Sequence, residues 1–405
     1  MIVSRINFVS PYRLNQQGHL SNYIASVHAA VARRGIDFRV FTSQDTPASL
    51  QRDYPIQRVF HDQSWDKRRL PPHLDLLFGW IVANSRFYGD LVRVKDVFAE
   101  PDQIFLIDWV DHRIALGLAW WLRRFGRRLH AAFVMMFRIG YFRFDRQRWS
   151  YYAPVMRLAF RILEHSQRAV NLRLVTDSER LAERFRLMTS LPIQVLPIPH
   201  TLHVAAQSHR QTDQPVNLII LGPPNHEKGF DVLVSAIRRL GGRNQLGGLL
   251  FTLHVHRHLE TQESREWRRI LEQLPPANIR LIDRFLSDEE YYLELEQADI
   301  VLLPYGKDKY YADTSGLFIE ALAAGKPVVA TDGTWMSAQL AKYGAGITFR
   351  DCDVDDLARA ILEARVNYPA LAQQAMARQP AWVGYHNPDN FVNELLKIVN
   401  AEVKR

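Results

Sequence analysis

The sequence predicts an α/β chain of two doubly wound, Rossmann-like domains facing each other across a cleft. Three observations carry that expectation. Short apolar runs alternate with helical patterns, starting at residues 2–9 and again at 216–221. The 405 residues exceed what one core takes in and suit two domains of roughly 200 residues each. Between the two series, residues 205–215 read AAQSHRQTDQP, a polar stretch almost free of large apolar side chains and the expected linker. The domains are therefore expected at 1–205 and 206–385, with a last helix over 386–405 packing back on the first.

Composition narrows the classes. Hydrophobic residues make up 47% and charged residues 23%, as in ordinary globular proteins. The single cysteine, Cys352, excludes an internal disulfide framework and most zinc sites, so a reducing compartment is expected. No window of about 18 uninterrupted apolar residues predicts a spanning helix, and the N-terminus lacks a signal-peptide pattern. A net charge of +8 favours anionic partners.

In chain order, residues 2–9 read as a strand, 10–19 as a polar loop holding Gly18, and 20–34 as a helix. Ile24, Val27, Ala30 and Val31 recur in that helix at helical spacing. Strand pattern resumes at 38–41, completing the building block of a doubly wound sheet. Ligands of such sheets bind beyond the carboxyl ends of strands, where the Gly18 loop falls. The loop lacks the three-glycine dinucleotide fingerprint, which argues against NAD. Residues 43–72 carry no clear pattern, and 74–97 look helical. Residues 103–109 read as a strand ending at Asp108, with His112 just beyond it. A histidine there is structural or capping as readily as catalytic.

Residues 131–137 and 169–176 read as strands, 154–166 and 178–188 as helices, the latter capped by Asp177. Between Arg113 and Arg168 stand twelve arginines against only Asp145 and Glu164. Arg123, Arg124, Arg127 and Arg128 lie beside Trp120, Trp121 and Phe125 on one helical pattern. That combination suits an anionic membrane surface, a nucleic-acid groove, or a solvated face over a buried stripe. Charge alone motivates nucleic acid, so no specific nucleic-acid partner is expected.

The second series gives strands at 216–221, 249–255, 279–282 and 300–304, with helices at 230–240, 265–273 and up to 297 between them. It leads into residues 312–331, ADTSGLFIEALAAGKPVVAT. Asp313, Thr314 and Ser315 are helix-start residues, while Gly325 and Pro327 end the helix before a short buried strand. Within 317–324 only Glu320 is polar, and a buried carboxylate must be hydrogen-bonded or paired. The free N–H groups at the helix start suit a phosphate. The stretch thus reads either as half of a nucleotide site or as a capped helix whose Glu320 meets an arginine or water.

Three motifs, GPPNHEKGFDVLVSAIRRL, ADIVLLPY and TSGLFIEALAAGKPVVAT, occur in this order. Together they resemble the nucleotide-sugar-dependent glycosyltransferases of the GT-B architecture, specifically the large retaining group (glycosyl transferases group 1 type). The likeness spans residues 216–364; in the first half it rests on Gly18, the passage 32–42 and LVTDSERLAERF. The resemblance implies that Lys228 binds the donor diphosphate, with Pro223 standing where an arginine is usual. It implies that backbone groups around Arg284, in residues 283–285, hold the base. Ser315, Gly316 and Leu317 would cradle the phosphates, and Glu320 would hold the ribose hydroxyls. The family's other glutamate position is Ala312, with Asp313 as the replacement contact to the donor sugar. Gly18 would lie near the donor and His112 would touch the sugar.

The implied function is a hexosyltransferase-like transfer with retention, from a nucleotide-sugar to a glycan or lipid-linked acceptor. Lys228, His112 and Asp313 are the implied catalytic residues. Surface polysaccharide or glycolipid synthesis follows, in the cytoplasm or peripheral on the inner face of the cytoplasmic membrane. No cofactor or metal is expected, since lysine and helix dipole can take the diphosphate charge. Pro223 and Ala312 motivate an alternative, a non-catalytic GT-B nucleotide-binding subunit. A sugar-nucleotide epimerase is another, though it needs an acid and base pair not identified in the sequence.

Overall fold

Strands that are apolar on both faces must be covered on both faces, and this chain meets that need with two all-parallel sheets joined by helical crossovers. The computed structural model describes residues 3–15, 19–63, 71–143, 148–199, 214–255, 261–343 and 345–401. The chain divides into two units, Met1–Thr201 with His386–Arg405, and Leu202–Tyr385. Gly18 and residues 205–213 of the expected linker lie outside the described residues.

The first unit begins with β1 (Arg5–Val9), α1 (His19–Ala32), β2 (Asp37–Ser43) and β3 (Ile56–Phe60). It continues through α2 (Pro72–Arg93), β4 (Gln103–Ile107), α3 (Ala115–Phe125) and β5 (Ala132–Phe137). A small antiparallel pair, β6 (Phe142–Arg143) and β7 (Arg148–Trp149), precedes α4 (Ala153–Ser166), β8 (Asn171–Thr176), α5 (Glu179–Arg186) and β9 (Ile193–Val195). The seven strands of the main sheet run in the order β3-β2-β1-β4-β5-β8-β9. The order reverses between β1 and β4, so their carboxyl ends form the crevice where such sheets bind ligands.

Strand β3 falls in a stretch the sequence left without a pattern. It is an edge strand with only Phe60 fully buried, so it carries no strong apolar signature. Helix α5 is capped by Ser178, whose hydroxyl accepts from Leu181 N, and not by Asp177 as expected. Asp177 faces Arg138 instead, at 3.6 Å.

The second unit runs β10 (Val216–Ile220), α6 (Phe230–Gly242), β11 (Leu249–His254), α7 (Gln262–Glu272) and β12 (Ile279–Ile282). Then come α8 (Asp288–Gln297), β13 (Ile300–Leu303), the single turn α9 (Lys307–Tyr310), α10 (Gly316–Ala323) and β14 (Val328–Thr331). Helix α11 (Trp335–Tyr343), β15 (Gly346–Phe349), α12 (Val354–Val366) and α13 (Tyr368–Tyr385) complete it. Its strand order is β12-β11-β10-β13-β14-β15, with the reversal between β10 and β13. Trp382 of α13 is buried beside Phe318 and donates to Ile319 O at 3.1 Å, which fixes α10 from behind.

The last helix, α14 (Pro388–Asn400), belongs to the first unit. Its side chains Phe391, Val392, Leu395, Ile398 and Val399 join the same core as Ile24, Val27 and Val31 of α1. Arg34 and Arg33 each reach Asp389 at 2.7 Å. At the far end Arg173 donates to Ile398 O and Ala401 O, at 2.8 and 2.7 Å, satisfying carbonyls that a helix end leaves without partners. Leu395 is fully buried, so Leu395→Ala is expected to destabilise the first unit by about 2–5 kcal/mol. Denaturant unfolding followed by circular dichroism checks this; an unchanged midpoint would show α14 adds little to that core.

Candidate functional site

The switch point of the second unit is built by a close backbone approach. After β10 the loop turns at Asn225, whose side chain accepts from Lys228 N at 2.8 Å and closes one 3-10 turn over His226–Lys228. Gly229 follows at φ +61, and a Cβ there would lie 1.8 Å from the Pro304 carbonyl oxygen at the end of β13. Only glycine tolerates both conditions. Lys228 is thereby delivered next to the residue after Pro304, Tyr305.

The Lys228 ammonium folds back against Gly222, 2.7 Å from where a Cβ on that glycine would be, and lies 6.0 Å from the Tyr305 ring centroid. Burial, with a smaller part from the positive charge of Lys309, lowers its pKa to about 8. Lys309 is itself ion-paired with Glu227. Tyr305 is buried, its hydroxyl hydrogen-bonds the Ser315 side chain, and its ring packs 4.6 Å from that of Tyr310. One tyrosine therefore joins the lysine loop to the start of α10.

At that start Ser315 caps the helix, its hydroxyl accepting from Phe318 N at 3.3 Å, with Gly316 and Leu317 as the first two helical residues. The helix closes with Gly325 at φ +66, Gly325 N donating to Leu322 O and Lys326 N to Ala321 O. Every residue from Leu317 to Ala323 is buried, Glu320 included at 2% exposure. Tyr291 of α8 donates its hydroxyl to Glu320 Oε2 at 2.6 Å. Burial pushes the Glu320 carboxyl up to about 7, while the Tyr291 hydroxyl holds it back and Asp288 adds to the rise. Asp313 stands in the loop between α9 and α10, and Ala312 beside it is buried.

The expected base-holding loop is tied to the lysine loop by a residue the sequence reading missed. His254, last in β11, accepts from Gly222 N through Nδ1 at 3.2 Å and contacts Arg284 O through Nε2 at 2.9 Å. Both contacts fit the neutral ring with its proton on Nε2. The Arg284 guanidinium turns away to Glu290 at 2.7 Å, so Arg284 contributes its backbone here. Lys228, Ser315 and the first turn of α10 thus come together on Tyr305, and Glu320 follows one turn on.

His112 lies in the first unit, at its own β1/β4 switch point. Its ring is buried and stacked 3.8 Å from Tyr152; its backbone N donates to the Tyr141 hydroxyl at 2.9 Å, and its carbonyl accepts from Asn84 at 2.8 Å. Beside it Asp111 and Arg113 form a buried pair at 2.7 Å. Asp108, at the end of β4, is pushed up to about 7 by burial, with Arg138 and Ser10 opposing. Arg138 sits 4.4 Å over the Tyr23 ring. The sequence reading missed Tyr305, His254 and Arg138 as site residues. Their shared signal is a polar or aromatic side chain at the last or first position around the carboxyl end of a buried strand.

The raised Glu320 pKa has a stability consequence. An unfolded glutamate ionises near 4.5 and the folded one near 7, so stability falls as pH rises from about 4.5 to 7 and stays lowered above. Glu320→Gln keeps an acceptor for Tyr291 and removes the charge. Ligand-free Glu320→Gln is expected to match wild type at pH 5 and gain on the order of 1–3 kcal/mol at pH 8. Melting temperatures across that range test it; equal differences at both pH values would show that Glu320 is not ionised against burial.

Residues 215–366 match the family model of glycosyl transferases group 1. No curated protein matches the chain in sequence. Among solved structures, a sucrose-phosphate synthase from Thermosynechococcus elongatus aligns at 14% identity and TM-score 0.68, covering 98% of each chain. WaaG, a glycosyltransferase involved in lipopolysaccharide biosynthesis, aligns at 15% and TM-score 0.64, covering 98% of this chain and 100% of its own. A trehalose-6-phosphate protein from E. coli bound with UDP-2-fluoro glucose aligns at 12% and TM-score 0.69, covering 99% and 100%. The chain thus has the two-domain GT-B fold, and its residues 215–366 match glycosyl transferases group 1.

Proposed function

We propose that this protein is a glycosyltransferase that moves a sugar from a nucleotide-sugar donor to a glycan or lipid-linked acceptor with retention of configuration. The observation that carries the reading is the meeting of Lys228 and the Ser315 helix start on Tyr305, at the switch point of the unit that matches the family. A diphosphate brings negative charge. A desolvated lysine and the free N–H groups of an eight-residue helix are the groups that favour it. Bond cleavage leaves more negative charge on the departing diphosphate while the sugar ring becomes positive. Groups already held in place to receive that charge lower the barrier without reorganising.

Other residues fit around this centre. His254 ties the Gly222 loop to the Arg284 carbonyl, which supports base recognition by backbone groups. Glu320 would exchange its tyrosine hydrogen bond for those of ribose hydroxyls. Pro223 stands where an arginine is usual, and Lys309, whose charge already acts on Lys228, is our choice for the second cation. Asp313 is the proposed contact to the donor sugar. We assign acceptor recognition to the first unit, with Arg113 and Arg138 at its carboxyl-end cluster, and keep His112 as the contact to the transferred sugar. Surface polysaccharide or glycolipid synthesis at the inner face of the cytoplasmic membrane is the setting this reading favours.

A second reading, a nucleotide-binding subunit without turnover, is favoured by Ala312, a buried alanine where the family carries a glutamate. A nucleotide-sugar panel followed by thermal shift and then by donor turnover separates the two. A selective hit with release of the nucleoside diphosphate supports the transferase. Tight binding without any turnover supports the subunit.

Lys228 allows a sharper check. With a pKa of about 8 it is about half protonated at pH 8, and a bound diphosphate raises that pKa. Nucleoside diphosphate binding at pH 8 is therefore expected to take up roughly half a proton at most, seen by calorimetry in buffers of different ionisation enthalpy. Lys228→Met is expected to lose the uptake and bind about 10–100-fold more weakly. Wild-type affinity in that variant would remove Lys228 from the phosphate site.

A further inference from the structure

Helix α2 carries an exposed apolar stripe. Leu74, Leu77, Phe78 and Ile81 recur at helical spacing and expose 38, 42, 47 and 47% of their surface. The core side of the same helix is taken by Ala83, Phe87 and Leu91. Trp120 of α3, 49% exposed, adds a fifth large apolar side chain. Scattered exposed apolar residues are ordinary, whereas a row on one helix face marks a contact surface.

A groove of about 610 Å³ runs along this surface, lined by Trp80, Ile81, Tyr88, Leu116, Trp120 and the two arginines Arg123 and Arg124. Its base is the contact of α2 with α3 at Gly117, where a Cβ would lie 2.3 Å from Asn84 O. Gly117 N donates to Asn84 Oδ1, and the same side chain donates to His112 O, both at 2.8 Å. The groove and the His112 loop therefore hang on one amide.

Charge decides what covers the surface. Arg123, Arg124, Arg127 and Arg128 are exposed at the end of α3 and in the turn after it. No acidic residue is among the described residues lining the groove. A second copy would set these arginines near their own kind, and nucleic acid would leave Leu74, Leu77, Phe78 and Ile81 in water. An anionic bilayer satisfies both halves, phosphate against arginine and acyl chain against the stripe.

We propose that α2 and α3 dock the first unit on an anionic phospholipid leaflet. The stripe from Leu74 to Ile81 and Trp120 enter the acyl layer, one acyl chain lies in the groove, and Arg123 and Arg124 hold lipid phosphates. This stands independently of sugar transfer, and its test reads binding.

Flotation of the full chain with phosphatidylcholine vesicles, with and without phosphatidylglycerol, tests it. Binding is expected only with phosphatidylglycerol and is expected to weaken as salt rises. Arg123→Gln with Arg124→Gln is expected to lose about tenfold or more, and Phe78→Ser with Ile81→Ser a similar or larger factor. These side chains are exposed, so both variants are expected to keep the wild-type melting temperature. Brominated lipid is expected to quench wild-type fluorescence more than that of Trp120→Phe, a readout that needs no disruptive variant. Equal binding to neutral vesicles, unchanged binding in both double variants, or equal quenching would each overturn the proposal. So would a wild-type dimer that Phe78→Ser with Ile81→Ser converts to a monomer with vesicle binding unchanged.

Discussion

The contact of Gly229 with the Pro304 carbonyl is the constraint on which the second unit's site depends. Parallel strands leave their carboxyl ends to loops, and loops wander unless something pins them. Here the pin is backbone on backbone, in space where no side chain fits. It sets Lys228 beside Tyr305, and Tyr305 in turn holds Ser315. His254 performs the same service one strand over, joining Gly222 to Arg284. Three loops that are distant in sequence become one rigid rim through few interactions.

Within that rim the unit keeps ionisable groups where their charges are poorly solvated. Burial lowers the Lys228 pKa and raises that of Glu320. Each shift means that burial takes from the charged form hydration it would have in water. A ligand with an anionic group near the lysine and hydroxyl donors near the carboxylate would relieve both. The cost of desolvation is thus held where a ligand of the proposed kind would release it.

The first unit repeats the pattern with different chemistry. Asp108, Asp111, Arg113, Arg138 and Asp177 gather around the β1/β4 switch point, mostly buried and arranged in opposite-charge contacts. Buried pairs of this kind recover little net stability against their desolvation, so they fix position more than they stabilise. The exposed stripe on α2 and the arginines of α3 lie behind the same His112 loop, through Asn84.

By itself the sequence determined the alternation of strands and helices, because runs such as VVAT and IVLL are apolar on both faces and fit only a covered parallel sheet. It also determined α10 to within one residue at each end, since Ser315 precedes helix formers and caps locally. Glu320 stood out for the same reason, as the one carboxylate in an apolar helix. What met that carboxylate was decided only by tertiary structure: Tyr291 is 29 residues away, on a helix brought alongside by the sheet order. Tyr305, His254 and Arg138 were illegible for a like reason, since a side chain at a strand end acquires its role from the neighbouring strand. The edge strand β3 was illegible because half-exposed strands need few apolar residues. Local propensity speaks through near neighbours in sequence, whereas a site at a switch point is made by strands that meet only after folding.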